Sequence, residues 1–516
     1  MNTKRVKKWS LILLGFFLVS SLVTFVWMDY QINRMWGGQT EIVKYDQFRT
    51  PQQTIAITNT NVLSPDAGRM LHNQTVLIEN GTITAVSDSA PIPTNAKIVN
   101  GKGKYLIPGL FDSHIHLWQS QNDLLLYLAN GVTHIRELNG NQEHLEWKSA
   151  IREGRPGPDL FVASARINSN AFFTGLIEDW TANMMSMNSK SDAEKIYGNA
   201  TNQQFDAIKV YTHLDKEHFL ALDKSSRSHK LPLLGHIPKT VTLDDIWQSN
   251  MTELAHTEEL VKALFREFGG FQREKQDELI SFIESRSHDI AKHITEKDMA
   301  IVSTIRLIEG ISDQRHAPLE ESLRNVQLAY VNPGITELSP LSSKVMGWLP
   351  DSNIYRIAGN HTQDALESDK LYWEAYVKAN HILLKALSDK NAKVLAGTDA
   401  NVPVMVPGFS LHEELESLVR IGLTEQQVLF SATVAPASHM KILSGQIKIG
   451  YQADLVLLDK NPLDNISNTR TINTVISNGR LYSKETLNMM LEAVENANDL
   501  SRQHNIKDFT HAGHNH

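Results

Sequence analysis

Hydrophobic and polar positions follow three different patterns along this chain. The first is an unbroken apolar run. Lys4, Arg5, Lys7 and Lys8 precede WSLILLGFFLVSSLVTFVWM, 20 uncharged residues from Trp9 to Met28. A helix of that length rises about 30 Å, the thickness of bilayer hydrocarbon. Cleaved signal peptides carry a shorter apolar region and a small-residue cleavage site. Here the run ends in Val26, Trp27 and Met28, then Asp29, with no such site. An uncleaved single-pass anchor is therefore favoured over a cleaved signal. Four basic residues lie before the run, and the next is Arg34. That bias predicts a cytoplasmic N-terminus and a catalytic domain exported to the periplasmic or extracellular face.

The second pattern alternates with period two. TIAITNTNVL and TVLIENGTITAV carry the hairpin signal Asn80-Gly81. The same pattern returns near the C-terminus in QADLVLLD and INTVISNGRLYS, with Asn478-Gly479. The expectation is one small β-sandwich built from both ends of the chain.

Between these ends strand and helix alternate. Eight apolar strand segments stand out: 110–116, 132–138, 160–167, 205–211, 231–237, 252–256, 300–305 and 392–397. Ser191 with Glu194, and Thr424 with Gln427, have capping-box spacing. LHEELESLVRIG puts Leu411, Leu415 and Leu418 on one helical face. Eight strand–helix units predict an α/β fold, a (β/α)8 TIM barrel of parallel strands. The expected organisation is a basic stub and transmembrane helix at 1–30, sandwich segments at 31–108 and 436–485, and the barrel at 109–435. A helical or disordered, His-containing tail follows at 486–516. The barrel is longer than about 250 residues, the usual size, so insertions are needed. The long gaps, 257–299 and 306–391, are expected over the barrel mouth.

Composition narrows the chemistry. The 516 residues sum to a formal charge of −8, which argues against nucleic acid as a partner. There is no cysteine, so disulfides, thiol nucleophiles and sulfur-ligated metals are excluded. The 21 histidines then draw attention to the strand ends, where this fold builds its active sites. The first strand ends in Asp112-Ser113-His114-Ile115-His116, and alternation directs both imidazoles the same way. Alone, that pair is weak evidence. The fourth strand carries Lys209 between Ile208 and Val210, where an unpaired ammonium is costly to bury. A barrel salt bridge would relieve it, and so would carbamylation. Tyr211 and His213 share its face by alternation. The fifth, sixth and eighth strands end in His236, His256 and Asp399.

These motifs resemble the amidohydrolase superfamily of metal-dependent hydrolases. IPGLFDSHIH is similar to that family's first-strand PGxxDxHxH, and FDAIKVY to its carboxylated-lysine strand. GH at 235–236, AH at 255–256, GTD at 397–399 and GQIKIGYQADLVLLDKNPL resemble its later motifs. Within the superfamily the chain looks most like the branch of imidazolonepropionase-related and Xaa-Pro dipeptidase-like enzymes.

The resemblance implies that His114 and His116, with Asp399, bind the more buried of two divalent metals. His236 and His256 would bind the other, and a CO2-derived carbamate on Lys209 would bridge them. Nitrogen and oxygen ligands suit Zn2+. Asp399 would move the proton as general base and then acid. Tyr211 would contact substrate, with His213 and Arg136 as further candidates. Arg136, and His134 on the same strand, fit a structural ion pair at least as well. The implied reaction is hydrolysis of an amide or dipeptide, with Xaa-Pro as one candidate. A mononuclear deaminase is the first alternative, but deaminases of this family place Glu three residues after the fifth-strand histidine, and here that residue is Lys239. A cyclic-amide hydrolase and a non-catalytic scaffold are the others. His504, His511, His514 and His516 could capture metal, or belong to a plain disordered tail.

Overall fold

The computed structural model describes residues 3–337, 355–357 and 361–505. Eight parallel strands form the barrel. Leu110–Ile115, Val132–Glu137 and Asp159–Val162 pair in that order. Ile208–Val210, Leu233–Gly235, Met251–Leu254, Ala300–Val302 and Lys393–Leu395 continue the series. Parallel bridges Ala163–Ala207 and Ile115–Ala400 close the ring. These are the eight segments that the apolar pattern marks, and the fold is of the TIM-barrel type. Arg166–Asn168, the end of the 160–167 segment, continues the third strand beyond a break and pairs with Met184–Ser186, which has no counterpart in the sequence reading.

Strands from both ends of the chain meet in one sheet. Tyr105–Pro108 pairs antiparallel with Leu455–Leu458. Ile55–Leu63 breaks its register twice, so it pairs first with Lys97–Asn100 and then with Tyr105–Pro108. Such bulges bend a strand. The far edge, Thr82–Ser87, returns to hydrogen-bond residues 450–453. The expected sandwich is thus a single eight-stranded sheet curled over its own core of Ile55, Ile57, Val76, Leu106 and Leu455. Both Asn-Gly pairs form two-residue hairpin loops with positive φ at each residue. Gly479 packs so closely on Gly81 that a Cβ there would lie 2.4 Å from the Gly81 Cα.

Helices form the outer wall. Thr424 and Gln427 make the reciprocal capping box, and Leu411, Leu415 and Leu418 are fully buried. The Ser191 box does not form: Ser191 is helical, and Glu194 turns instead to Ser225 and His229. The two long segments supply wall helices as well as residues near the mouth, Glu259 and Tyr355 among them. Gln276–Glu296 and Gln363–Asp389 pack on each other and return to the base of the ring, where Lys297 Nζ donates to Ser249 O. Their apolar faces, including Ile283, Ile290, Leu383 and Leu387, pack in the core, while Tyr376 of the second helix donates to Glu258 near His256. Residues 338–354 and 358–360 of the second segment lie outside the described residues.

Helix Thr3–Met35 contains the one span among the described residues long and apolar enough to cross a membrane, Trp9–Met35. From Trp9 to Trp27 its side chains are exposed, Met28 and Asp29 are half-buried, and Gln31, Ile32 and Arg34 are buried. Gln119 Nε2 donates to Asn33 Oδ1 at 2.8 Å, and Trp36 Nε1 to Thr181 O at 2.8 Å. At the other end of the chain, helix Lys484–Asn505 continues into the expected tail because Leu487, Met490, Val494 and Ala497 maintain a buried stripe. His511, His514 and His516 lie outside the described residues.

Candidate metal centre

Two glycines let the strand ends converge. A Cβ on Gly397 would sit 2.9 Å from His114 N and 2.5 Å from Val302 Cγ1, so only glycine lets the eighth strand close against the first. There Asp399 N donates to His114 O at 2.7 Å, and Thr398 binds Asp112 through both its N–H and its hydroxyl. Gly235 has φ +133° and passes 2.2 Å (Cβ position) from Val210 O, which sets His236 beside the Lys209 strand. Asp399 itself has φ +57°. Left-handed backbone on a non-glycine residue is a local strain often kept where a side chain must be aimed.

The side chains gather as the strand ends imply. His116 Nε2 lies 3.1 Å and His114 Nε2 3.4 Å from Asp399 Oδ1. Donor atoms of His114, His256 and Asp399 lie within 4.8 Å of one another. The His256 ring is 4.4 Å from that of His114 and 5.1 Å from that of His236, so it stands between the two pairs.

Each imidazole is held from behind by its Nδ1. His114 Nδ1 meets Ala255 O at 3.1 Å, and His116 Nδ1 meets Glu137 Oε1 at 3.4 Å. His236 Nδ1 is 2.9 Å from Thr212 Oγ1 and 3.3 Å from Glu259 Oε1, and His256 Nδ1 is 3.1 Å from Thr304 Oγ1. Outer partners of this kind fix the ring and leave Nε2 as the donor for a cation. Inside, His114 Nε2, Lys209 Nζ and Asp399 Oδ1 are buried without a hydrogen-bond partner among the described residues.

Electrostatics agree with that arrangement. Burial holds the imidazoles of His114 and His236 well below their usual range and brings His256 to about 4, so these rings are neutral at pH 7. Burial opposes charge on His116 too, but Asp399 and Glu137 outweigh it and raise that ring. Asp399 would be raised by burial, yet the imidazole of His116 holds it well below the carboxylate range. Burial lowers the Lys209 ammonium to about 7, against the pull of Asp399 and Glu253. A neutral lysine amine is the form that can take up CO2. The donor set, four imidazoles with one carboxylate and one buried amine, fits a divalent metal of the zinc class.

A model of the amidohydrolase family matches residues 368–482, the segment that carries Asp399 and leads back into the sheet. Curated relatives include an adenine deaminase of Clostridium perfringens, 24% identical over 70% of this chain, and an imidazolonepropionase of Brevibacillus brevis, 20% identical over 81%. The chain spans about half (48%) of the deaminase's length and 91% of the imidazolonepropionase's. A solved Xaa-Pro dipeptidase with bound methionine shares the fold at TM-score 0.58 and 15% identity, covering 83% of this chain and 100% of that one. Amidohydrolases are thus what this chain is similar to, through the family match at 368–482 and through the fold.

Around the cluster the structure places several residues differently from the sequence reading. Tyr211 is at the mouth, 4.6 Å from the His236 ring. His213 is not beside it: the fourth strand stops at Val210, alternation ends there, and His213 is exposed. Thr212 reaches His236 instead. Arg136 is sealed inside the barrel, 2.7 Å from Glu253, and forms the structural ion pair rather than a substrate contact. His134 faces Asp159 and Asp454 at 3.7 Å each, at the joint with the sheet. The cation at the mouth is Arg166, which the sequence reading missed. Its guanidinium donates to Tyr211 Oη at 3.3 Å and covers the Tyr211 ring at 4.8 Å. An arginine in the otherwise apolar LFVASARI was the available signal. Tyr355 also approaches: burial raises its phenol, and Asp399, Glu258 and Tyr211 add to the shift. Nothing in the flanking sequence marks it.

Proposed function

We propose that the protein is a membrane-anchored hydrolase of an amide or peptide C–N bond in a small substrate. The observation that carries this reading is the set of four imidazoles with Nδ1 tied outward around the unpartnered Lys209 Nζ and Asp399 Oδ1. His114, His116, His236, His256 and Asp399 would hold two divalent cations, most simply Zn2+, bridged by carbamylated Lys209. Two cations there would supply hydroxide at neutral pH and polarise the scissile carbonyl.

Among the described residues Asp399 is the carboxylate aimed into the cluster, so it would take the proton from the attacking water as the new C–O bond forms. It would then return that proton to the nitrogen as the C–N bond breaks. Tyr211 and Arg166 stand where a carbonyl or carboxylate of the substrate would be gripped. A dipeptide, Xaa-Pro among them, and a cyclic amide both fit this arrangement.

The similarity to an adenine deaminase favours a second reading, deamination at one metal. Lys239, where the deaminase branch is expected to carry Glu, is exposed and argues for the first. Elemental analysis separates them: about two metals per chain supports the hydrolase, and one in fully active protein revives the deaminase. Residues 9–28 would anchor the chain in a bilayer, N-terminus in the cytoplasm and barrel outside. Protease accessibility in intact cells tests that topology, and a barrel protected on the cytoplasmic side overturns it.

A further inference from the structure

Helix Phe172–Ala182 has its apolar side facing outward. Phe172, Phe173, Leu176 and Ile177 are 64%, 78%, 54% and 59% exposed, while Gly175 on the inner side lies against Ser186. A contiguous apolar patch of this kind on a folded domain needs a partner. The adjoining surface indicates which one. Phe25, in the last turn of the apolar run, stacks on Trp180 with ring centroids 4.9 Å apart and planes 18° apart. Trp180 Nε1 donates to Asp29 Oδ1 at 2.9 Å, just beyond the run. The exposed face of the short helix is therefore continuous with the exposed face of the anchor, at the depth where the anchor leaves hydrocarbon. Trp27, Tyr30 and Trp180 crowd that level, the usual position of aromatic side chains at a bilayer surface.

The inner end of the same helix reaches the candidate metal centre. Ala182 O, in its last residue, accepts from Arg166 Nη2 at 3.1 Å, and Arg166 Nη1 donates to Tyr211 Oη. The Arg166 guanidinium also lies 5.7 Å from the Trp118 ring, which stacks on His116 at 4.9 Å. Trp36, on the turn after the anchor, packs against Trp118 at 4.2 Å. A cavity of about 190 Å³ lies between the anchor, this helix and the barrel, lined in part by Trp36, Trp118 and Trp180.

We propose that helix Phe172–Ala182 lies in the bilayer surface beside the anchor, and that the site takes amphiphilic amides from the membrane. The substrate class is an N-acylated amine or amino acid: its tail remains along Phe173, Leu176 and Ile177, and its amide reaches Tyr211 and the metals. The substrate half rests on the hydrolase reading above; the seating of the helix does not.

Because the chain has no cysteine, one introduced cysteine is a unique label site. In full-length protein in nanodiscs of phosphatidylethanolamine and phosphatidylglycerol, spin labels at Phe173→Cys and Leu176→Cys should collide with oxygen and be shielded from a nickel chelate. A label at Lys190→Cys, an exposed residue, should show the reverse. Equal nickel accessibility at positions 173, 176 and 190 overturns the seating. In the same nanodiscs, the variant Phe172→Ser/Phe173→Ser/Leu176→Ser/Ile177→Ser should lose about tenfold in kcat/KM on an N-dodecanoyl amino acid and keep its rate on the N-acetyl analogue. An equal loss on both, or none on either, overturns the substrate half. If the unmutated protein cleaves neither, the hydrolase reading and the substrate half both fall, while the label ratios still decide the seating.

Discussion

The two ends of the barrel contain the same residue types and do opposite things with them. At the mouth, four histidines turn their Nδ1 atoms outward to a carbonyl, carboxylates and hydroxyls, and their inner faces meet one aspartate and one unpaired lysine. Below and at the base, cationic or imidazole side chains face carboxylates instead. Arg136 and His439 both close on Glu253, at 2.7 and 2.9 Å, and His134 faces Asp159 and Asp454 while stacking on Phe111 at 4.0 Å. Arg136 and Glu253 form a buried ion pair and so act as a strut. An imidazole oriented from behind and left open in front is a ligand in waiting. Residue type does not separate the two; the direction of the ring does.

Lys209→Ala should break this contrast most severely. Metal content and turnover should fall together, turnover by about a thousandfold or more. A small added carboxylic acid should restore part of both by taking the bridging place, whereas Lys209→Arg should restore neither. Normal activity in Lys209→Ala, read by elemental analysis and steady-state kinetics, removes the bridge from the account. Asp399→Asn should keep some metal and lose about 10²–10⁴ in kcat with KM little changed.

Arg136→Met tests the other end. It leaves Glu253 short of a partner in the barrel interior, so stability should drop by about 3–5 kcal/mol in denaturant melts. Metal bound per folded molecule should not change. A selective loss of metal would place Arg136 with the mouth after all.

Glu414 sharpens the comparison, because it supports the mouth without facing the cluster. It accepts from Ser303 Oγ, from Ile305 N at 3.1 Å and from Arg306 N at 2.7 Å, yet burial pushes its carboxyl up to about 7. The folded state therefore holds a proton that the unfolded chain releases near pH 4.5. Stability should fall as pH rises from about 4.5 to 7, by about 3 kcal/mol from this group, and level off above. Melting curves across that window should flatten in Glu414→Gln; an unchanged slope refutes the assignment.

The smallest effect is expected at Glu259→Gln. Its carboxylate backs His236 Nδ1 and also accepts from Ile237 N at 2.9 Å. Metal affinity should weaken about 10–100-fold, with little change in melting temperature. Competition with a chelator measures it.

Much of this was legible in the sequence because it is local. Period-two and strand–helix alternation gave the eight barrel segments, Asn-Gly gave both hairpins, and histidine at successive strand ends gave the cluster. What escaped depends on where chain segments stop or meet. His213 was lost because the strand ends three residues earlier. Arg136 was left between substrate contact and structural ion pair because its partner Glu253 lies across the barrel, far along the chain. Glu137 in VTHIRELNG and Glu259 in HTEE, which hold imidazoles from behind, have no local mark and acquire their role only through tertiary contact. The wall helices 276–296 and 363–389 read as insertions because nothing local says which face of the barrel they cover.

The seam between Tyr105–Pro108 and Leu455–Leu458 sets a timetable for the newborn chain. Residues emerge in order, so the early strands must wait with an open edge until nearly the whole barrel has followed. Pairing across such a distance is slow, and a waiting edge is a template for a neighbour in the same condition. A chain released before Leu458 would never close that edge. It should be cleared or aggregate rather than persist as a smaller working enzyme.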